Sequence, residues 1–313
     1  MVQQLNLIYM IPLPLIYSAD RHFRMSRLPS VFVCNIKRNS MLKLQQKITF
    51  MPLFISLVLS LFCSQVVSAT NSTFERIKKD GVLLVGMSGE QPPFNFVSNL
   101  ETVIGYDVDL TTALAKSVGA EVRIELMPFS ELMEALEDRK IDIIISGFAF
   151  TEERSKEITF VGPYALSGKS LLITKKRLKE IKASTGFNHE KVHLMALENS
   201  TSKTLAENRL EKAKLTTIKH YEDALMALRS GEADALVADL AICELAVIRE
   251  TAKELTTLQK PLAVEEIGLA IKKDEPLLEA HLSAQLRKLS KSGALKELHN
   301  KWFNSPGWLE LLP

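Results

Sequence analysis

Cysteine is nearly absent: three residues in 313, Cys34, Cys63 and Cys243. The first two fall in an N-terminal stretch read below as a leader. Cys243 then stands alone in the mature body, and no intramolecular disulfide can form even in an oxidising compartment. Its setting, "DLAICELAVI", is an apolar helix-like run that suits a buried structural thiol better than a nucleophile. Histidine is sparse as well. His189 and His220 stand alone and His193 alternates within a strand-like segment, so neither a metal site nor a Ser/His/Asp constellation is evident. No cofactor is expected. Strong net charge is also missing. The formal +2 comes from the first 69 residues, which hold seven basic side chains against Asp20. Seven taken from 39 leaves 32 basic groups, and one taken from 37 leaves 36 acidic ones, a net −4. Such a body has no electrostatic reason to bind nucleic acid, and the basic "LRKLSKSG" (286–293) reads as a solvated helix face.

A long hydrophobic run is lacking too. Residues 48–62 are almost wholly apolar, shorter than the roughly 20 residues a spanning helix needs. Lys43 and Lys47 precede them and "VVSA" follows, the layout of a secretory signal over residues 41–69, cleaved after Ala69. A periplasmic location is therefore expected. Lipid attachment at Cys63 is disfavoured by bulky Phe62 before it. The upstream "LNLIYMIPLPLIY" is broken by Pro12 and Pro14 and fits neither signal nor anchor. Met41 is thus expected to be the true start, with residues 1–40 an extension outside the natural protein.

What the chain does have is regular alternation of strand and helix. "VLLVGM" (82–87) reads as a buried strand, followed by the turn-rich "SGEQPPFNF". "YDVDLTTALAKSVG" (106–119) places Leu110, Leu114 and Val118 four apart, a helix face closed by Gly119. "VRIELM" is a strand, "SELMEALEDRK" a helix and "IDIIISG" a strand. A second set starts near residue 192: strand "VHLMAL", helix "STSKTLAENRLEKA", strand "LTTIKH", helix "YEDALMALRSG" and strand "DALVAD". This order predicts an α/β fold with mostly parallel sheets flanked by helices. The chain crosses between the sets twice, at "PYALSGKSLLITKK" (163–176) and "LQKPLAVEEIGLAI" (258–271), so the second set is inserted in the first and two strands form a hinge. The expected lobes are residues 74–166 plus 264–306, and residues 167–263.

The two sets echo each other. Ala135-Leu136 precedes Asp142 as Ala227-Leu228 precedes Asp234, and five residues on stand Gly147 and Asp239, all at an offset of 92. Helix–turn–strand units of equal length also occur without true repetition. Either way, the segments with unusual residues leave the carboxyl ends of buried strands, where open α/β sheets bind ligands. One of them is "SGFAFTEER" (146–154), in which Thr151 is expected to start a helix. Arg154 there is either a surface ion-pair partner or a guanidinium fork for a carboxylate. Asp239, ending "DALVAD", either caps the next helix or meets a ligand ammonium. Should both face one crevice, they would read the head group of a free amino acid.

The ordered segments "PPFNF", "GYDVDLTTALAKSVGAEV", "MPFSELMEALEDRKIDIIISGFAFTEER", "ITFVGPY", "YEDALMALRSGEADALVADLA" and "GALKELHNKWF" resemble the extracellular solute-binding protein family 3 over roughly residues 74–304. The resemblance implies a two-lobed periplasmic-binding-protein fold that closes over one polar amino acid and delivers it to the membrane subunits of an ABC importer. It implies that Arg154 binds the ligand carboxylate and Asp239 its ammonium. Gly147 offers backbone, Ser200 a hydroxyl and N–H at a helix start, and Phe129 an aromatic surface; a core role for Phe129 reads equally well. Three further cleft positions depart from the family pattern. Ala149 replaces a serine or threonine, Gln91 an aromatic, and Ser88 an aspartate found in many cation- and amide-reading members. Asn199 also replaces a glycine before Ser200. Loss of the acid at Ser88 argues against arginine or lysine as ligand, although Glu90 could compensate. A free-standing monomer without catalytic activity is expected. The alternatives are a sensor module of a receptor, or a cyclohexadienyl dehydratase-like enzyme with Glu198 as its acid.

Overall fold

The computed structural model describes residues 72–249 and 254–313; the expected leader and upstream extension lie outside them. In chain order the elements are α1 (Thr73–Asp80), β1 (Val82–Met87), β2 (Glu90–Gln91), β3 (Asn95–Val97), β4 (Val103–Ile104), α2 (Tyr106–Val118), β5 (Glu121–Leu126), α3 (Leu132–Glu137) and β6 (Ile143–Ile144). Then come β7 (Ile158–Thr174), α4 (Lys175–Ala183), β8 (His193–Leu197), α5 (Thr201–Arg209), β9 (Lys214–Ile218), α6 (Tyr221–Ser230), β10 (Ala235–Asp239) and α7 (Leu240–Arg249). The chain ends with β11 (Leu255–Thr257), β12 (Ala263–Lys272), α8 (Pro276–Lys291) and α9 (Ala294–His299).

The main sheet runs β5-β1-β6-β12-β7-β10-β8-β9, with β11 also on β7; β2, β3 and β4 form a small antiparallel sheet. Within each lobe the strands are parallel: β5, β1 and β6 on one side, β10, β8 and β9 on the other. The long antiparallel pair β7 and β12 joins them, which is the two-strand hinge. β1 turns Leu83, Val85 and Met87 to one fully buried face, each at most 2% exposed, while Val82 and Leu84 on the other face are partly buried. Burying such a side chain contributes about 1.5–3 kcal/mol before entropy is counted.

The 92-residue echo is present in the backbone. Lys140 N and Ile141 N both donate to Ala135 O, and Glu232 N and Ala233 N both donate to Ala227 O. The turn residue is left-handed in both copies, Arg139 at φ 59° and Gly231 at φ 77°. Asp142 Oδ2 accepts from Leu84 N at 2.8 Å and pairs with Arg76; Asp234 Oδ2 accepts from His193 N at 2.8 Å while Oδ1 pairs with Arg177. One device thus anchors the third strand of each lobe and sets where its carboxyl end points.

Two expected helices are shorter than their sequences suggest. "SELMEALEDRK" opens with a 3₁₀ turn (Phe129–Glu131) before α3, and the segment after Thr151 is only a 3₁₀ turn (Arg154–Lys156). Pro128 precedes the first, and in the second the Thr151 hydroxyl accepts from Arg154 N at 3.1 Å and tightens the chain.

Candidate functional site

Arg154 is only 8% exposed. Its Nη1 donates to Ala149 O at 2.9 Å and its Nη2 reaches the other lobe, donating to Asn199 O at 2.7 Å. The guanidinium carbon lies 3.9 Å from the Phe148 ring centre and 5.7 Å from that of Phe129. Stacking on aromatic faces fixes the plane of the fork. Burial pushes its pKa down to about 10, opposed by the charges of Glu265, Glu153 and Asp239, so it remains a cation at neutral pH. Phe129 is 7% exposed, belongs to a buried core cluster, and packs on Phe148 with ring centres 5.6 Å apart.

The loop carrying Gly147 and Ala149 is held from below. Asp107 is fully buried; its Oδ2 accepts from Gly147 N and Asn95 Nδ2, each at 2.9 Å, and its Oδ1 accepts from Tyr164 OH at 2.7 Å. Gly147 has φ 57°, a conformation that favours glycine, and a Cβ there would also displace the end of the Gln91 side chain, whose Oε1 would be 2.8 Å away. Gln91 is buried beside Gly147, 3% exposed. Ser88 N donates to Ser146 Oγ at 2.9 Å, which ties the β1 end to the same network. The second aspartate of "YDVDL" works elsewhere: Asp109 Oδ2 accepts from Lys301 Nζ at 2.6 Å and Trp302 Nε1 at 2.7 Å, fastening the "KWF" segment to α2.

On the second lobe Ser200 caps α5, accepting from Lys203 N at 3.2 Å and donating to Leu197 O at 2.6 Å, so its hydroxyl is engaged. Asn199, left-handed at φ 53°, sends Nδ2 across to Ser130 O at 3.1 Å. His220 Nδ1 and Glu90 Oε1, 2.7 Å apart, make another contact between the lobes.

Asp239 is 6% exposed, and both of its oxygens are taken within the protein. Oδ1 accepts from Ser167 Oγ at 2.5 Å and Oδ2 from Lys169 Nζ at 2.8 Å. Lys169, 3% exposed on β7, is also 3.4 Å from Glu265 Oε2, which accepts from Thr201 Oγ1 at 2.6 Å. Burial works against the Lys169 charge, but Asp239 and Glu265 outweigh it and hold its pKa above the usual value.

The structure thus brings Arg154, Ala149 and Phe129 together, and places Gly147 and Ser88 in the hydrogen-bonded network beneath them, with buried Gln91 beside Gly147. It sets Ser200 beside the Asn199–Arg154 contact and Asp239 within electrostatic reach of Arg154. Sequence reading missed Lys169, Glu265, Ser167 and Phe148. The available signal was a lysine inside the otherwise uncharged strand "YALSGKSLLIT". Cys243 is buried and its thiol pKa is raised by burial, consistent with a packing role. Among the described residues no cluster suited to a metal ion occurs.

Comparisons with known proteins agree with this architecture. The family model for bacterial extracellular solute-binding proteins, family 3, matches residues 83–305. The L-cystine-binding protein TcyJ of Escherichia coli is 27% identical over 241 residues, covering 76% of this chain and 88% of TcyJ. The ABC transporter glutamine-binding protein GlnH of Bacillus subtilis is 28% identical over 235 residues, covering 74% and 84%. Among solved structures, the ancestral amino acid-binding protein AncCDT-1, a precursor of cyclohexadienyl dehydratase, has 32% identity and a TM-score of 0.67, covering 74% of this chain and 100% of its own. A mutant of ArgBP from T. maritima has 31% identity and a TM-score of 0.66, covering 74% and 99%. With most of its described residues inside the family model, this chain belongs to the bacterial extracellular solute-binding proteins, family 3.

Proposed function

We propose that the protein captures a free polar amino acid between its lobes, in the periplasm, and delivers it as a monomer to the membrane subunits of an ABC importer. Lobe 1 is taken as residues 74–166 plus 264–306 and lobe 2 as residues 167–263. The observation that carries this reading is the buried Arg154 fork, stacked on Phe148 and bonded to a carbonyl of the opposite lobe. A ligand carboxylate would replace that carbonyl as acceptor and add charge to the bond. Asp239 would take the ligand ammonium in exchange for Lys169. Because the groups belong to different lobes, ligand favours the closed state, which is the form a transporter can recognise. Relatives named for cystine, glutamine and arginine share the α-amino-acid head group, and that group is all that is carried over.

Chemistry on the ligand is not part of this proposal. Glu198 is only partly buried, in the turn before α5, and its backbone N–H bonds Ile218 O at 2.8 Å. The test is a thermal-shift screen of the mature protein against the common amino acids, with calorimetry on each hit. Failure of every amino acid to bind at millimolar concentration refutes the proposal. Turnover of prephenate or arogenate would move the assignment to the dehydratase reading.

A further inference from the structure

The cleft holds four buried or nearly buried charges: Arg154 and Lys169 against Asp239 and Glu265, whose side chain is 17% exposed. They converge, since Lys169 touches both acids and Arg154 feels both. Lys169 and Ser167 alternate on one face of β7 and hold the two oxygens of Asp239 between them. Across the hinge, Ser167 is in register with Glu265 and Lys169 with Ala263, so the small residue opposite Lys169 leaves its ammonium turned to the acids. An ammonium therefore already occupies the place where an amino-acid ligand would put its own.

We propose that Lys169 is a specificity-determining residue that keeps cationic side chains out of the cleft and admits ligands whose side chain is neutral or anionic. This rests on the amino-acid-binding reading above. Among the buried or nearly buried groups two cations and two anions balance; Glu153, the third acid acting on Arg154, is exposed to solvent. A zwitterionic head group adds one of each and preserves the balance. When it docks, its ammonium displaces Lys169 from Asp239, leaving Lys169 with Glu265 alone and a donor turned to the ligand. A carbonyl or carboxylate on the ligand side chain can accept from that donor. A guanidinium or second ammonium instead meets a like charge in a site of low dielectric, where repulsion is poorly screened. The acid that could offset it, Glu90, is half-exposed and already paired with His220. Ser88 carries no charge at the remaining candidate position.

The test measures affinities of the wild-type protein, Lys169→Gln and Lys169→Arg for glutamine, glutamate, arginine and lysine by calorimetry. Circular dichroism melts establish that each variant is folded. The wild-type protein is expected to bind glutamine or glutamate at least 100-fold more tightly than arginine or lysine. Lys169→Gln should narrow that ratio tenfold or more, whereas Lys169→Arg, which keeps the charge, should preserve it. Arginine binding to the wild type as tightly as the neutral or acidic ligands overturns the proposal, and so does an unchanged ratio in folded Lys169→Gln. Should Lys169→Gln fail to fold, the wild-type ratio and its persistence in Lys169→Arg decide. No binding of any amino acid overturns this inference and the transport reading together, while unselective binding overturns this inference alone.

Discussion

Replacing Arg154 with lysine isolates what its geometry contributes, because the charge stays and the planar fork is lost. Arginine has five N–H donors in fixed directions. Without ligand two of them point to Ala149 O and Asn199 O, and in the proposed complex a ligand carboxylate takes the place of Asn199 O. A lysine ammonium cannot make two parallel bonds to a carboxylate and would give up one charge-assisted bond, worth about 1.5–3 kcal/mol. The stacked guanidinium over Phe148 is present without ligand, so its loss falls on the stability of the site and not on affinity. The lost bond of about 1.5–3 kcal/mol corresponds to roughly a tenfold to 150-fold weaker ligand affinity. Calorimetry with the ligand found in the screen measures the loss, and small-angle scattering with and without ligand reports whether closure fails with it. The Asn199 carbonyl supplies a second readout, since its bond to Nη2 helps hold the lobes together in the absence of ligand. Affinity within threefold of wild type would show that the carboxylate is held elsewhere and would refute the reasoning.

Two further predictions concern pH. Burial raises the Asp107 carboxyl from 3.8 to about 6, against the lowering effect of the bonds from Tyr164, Asn95 and Gly147. The unfolded chain then ionises first, so this group's contribution is fully present below about pH 4. It is lost as pH rises towards 6, by roughly 3 kcal/mol at about 1.36 kcal/mol per pH unit. Melting temperatures of wild type and Asp107→Asn across pH 4–7 should diverge in slope, and parallel slopes would exclude the effect. The hydrogen bond that His220 donates to Glu90, and then the Glu90 charge, raises the His220 pKa, with Asp223 adding to the rise while burial and Lys219 oppose it. Protonated His220 therefore favours the contact between lobes below the usual histidine pKa, and the gain fades as pH climbs through the raised value. Scattering radii of the ligand-free protein should increase over that window, and His220→Gln should flatten the change; a radius independent of pH refutes it.

Much of the architecture was legible because it depends on local pattern. The bounds of β1 and α2 follow from an apolar run and a four-residue spacing. The echo at 92 residues was legible as spacing alone, yet its physical content lies in tertiary bonds. Asp142 and Asp234 are exchangeable because each takes a neighbouring strand's N–H and an arginine, and neither arginine is related by the same offset. The helix expected at Thr151 was not legible as a 3₁₀ turn, because the competing acceptor is a hydroxyl whose rotamer the sequence does not specify. Asp107 and Asp109 stand two apart in one helix and do unrelated work, one holding the Gly147 loop and one the C-terminal segment. Only the packing of β7 and the last helices against α2 separates their roles.

The cleft charges show where a different question of the sequence would have succeeded. A strand covered on both faces cannot carry an ammonium without a partner, since a lone buried charge is far too costly to keep. Lys169 sits in such a strand, followed by "SLLIT", so its partner had to be an acid brought close by the hinge. Asp239 was already the candidate on other grounds, and the two constraints meet at 2.8 Å. Both oxygens of Asp239 are engaged by Ser167 and Lys169. Under the proposed function a ligand ammonium would therefore have to displace Lys169, and the proposed selectivity would depend on where the displaced ammonium goes.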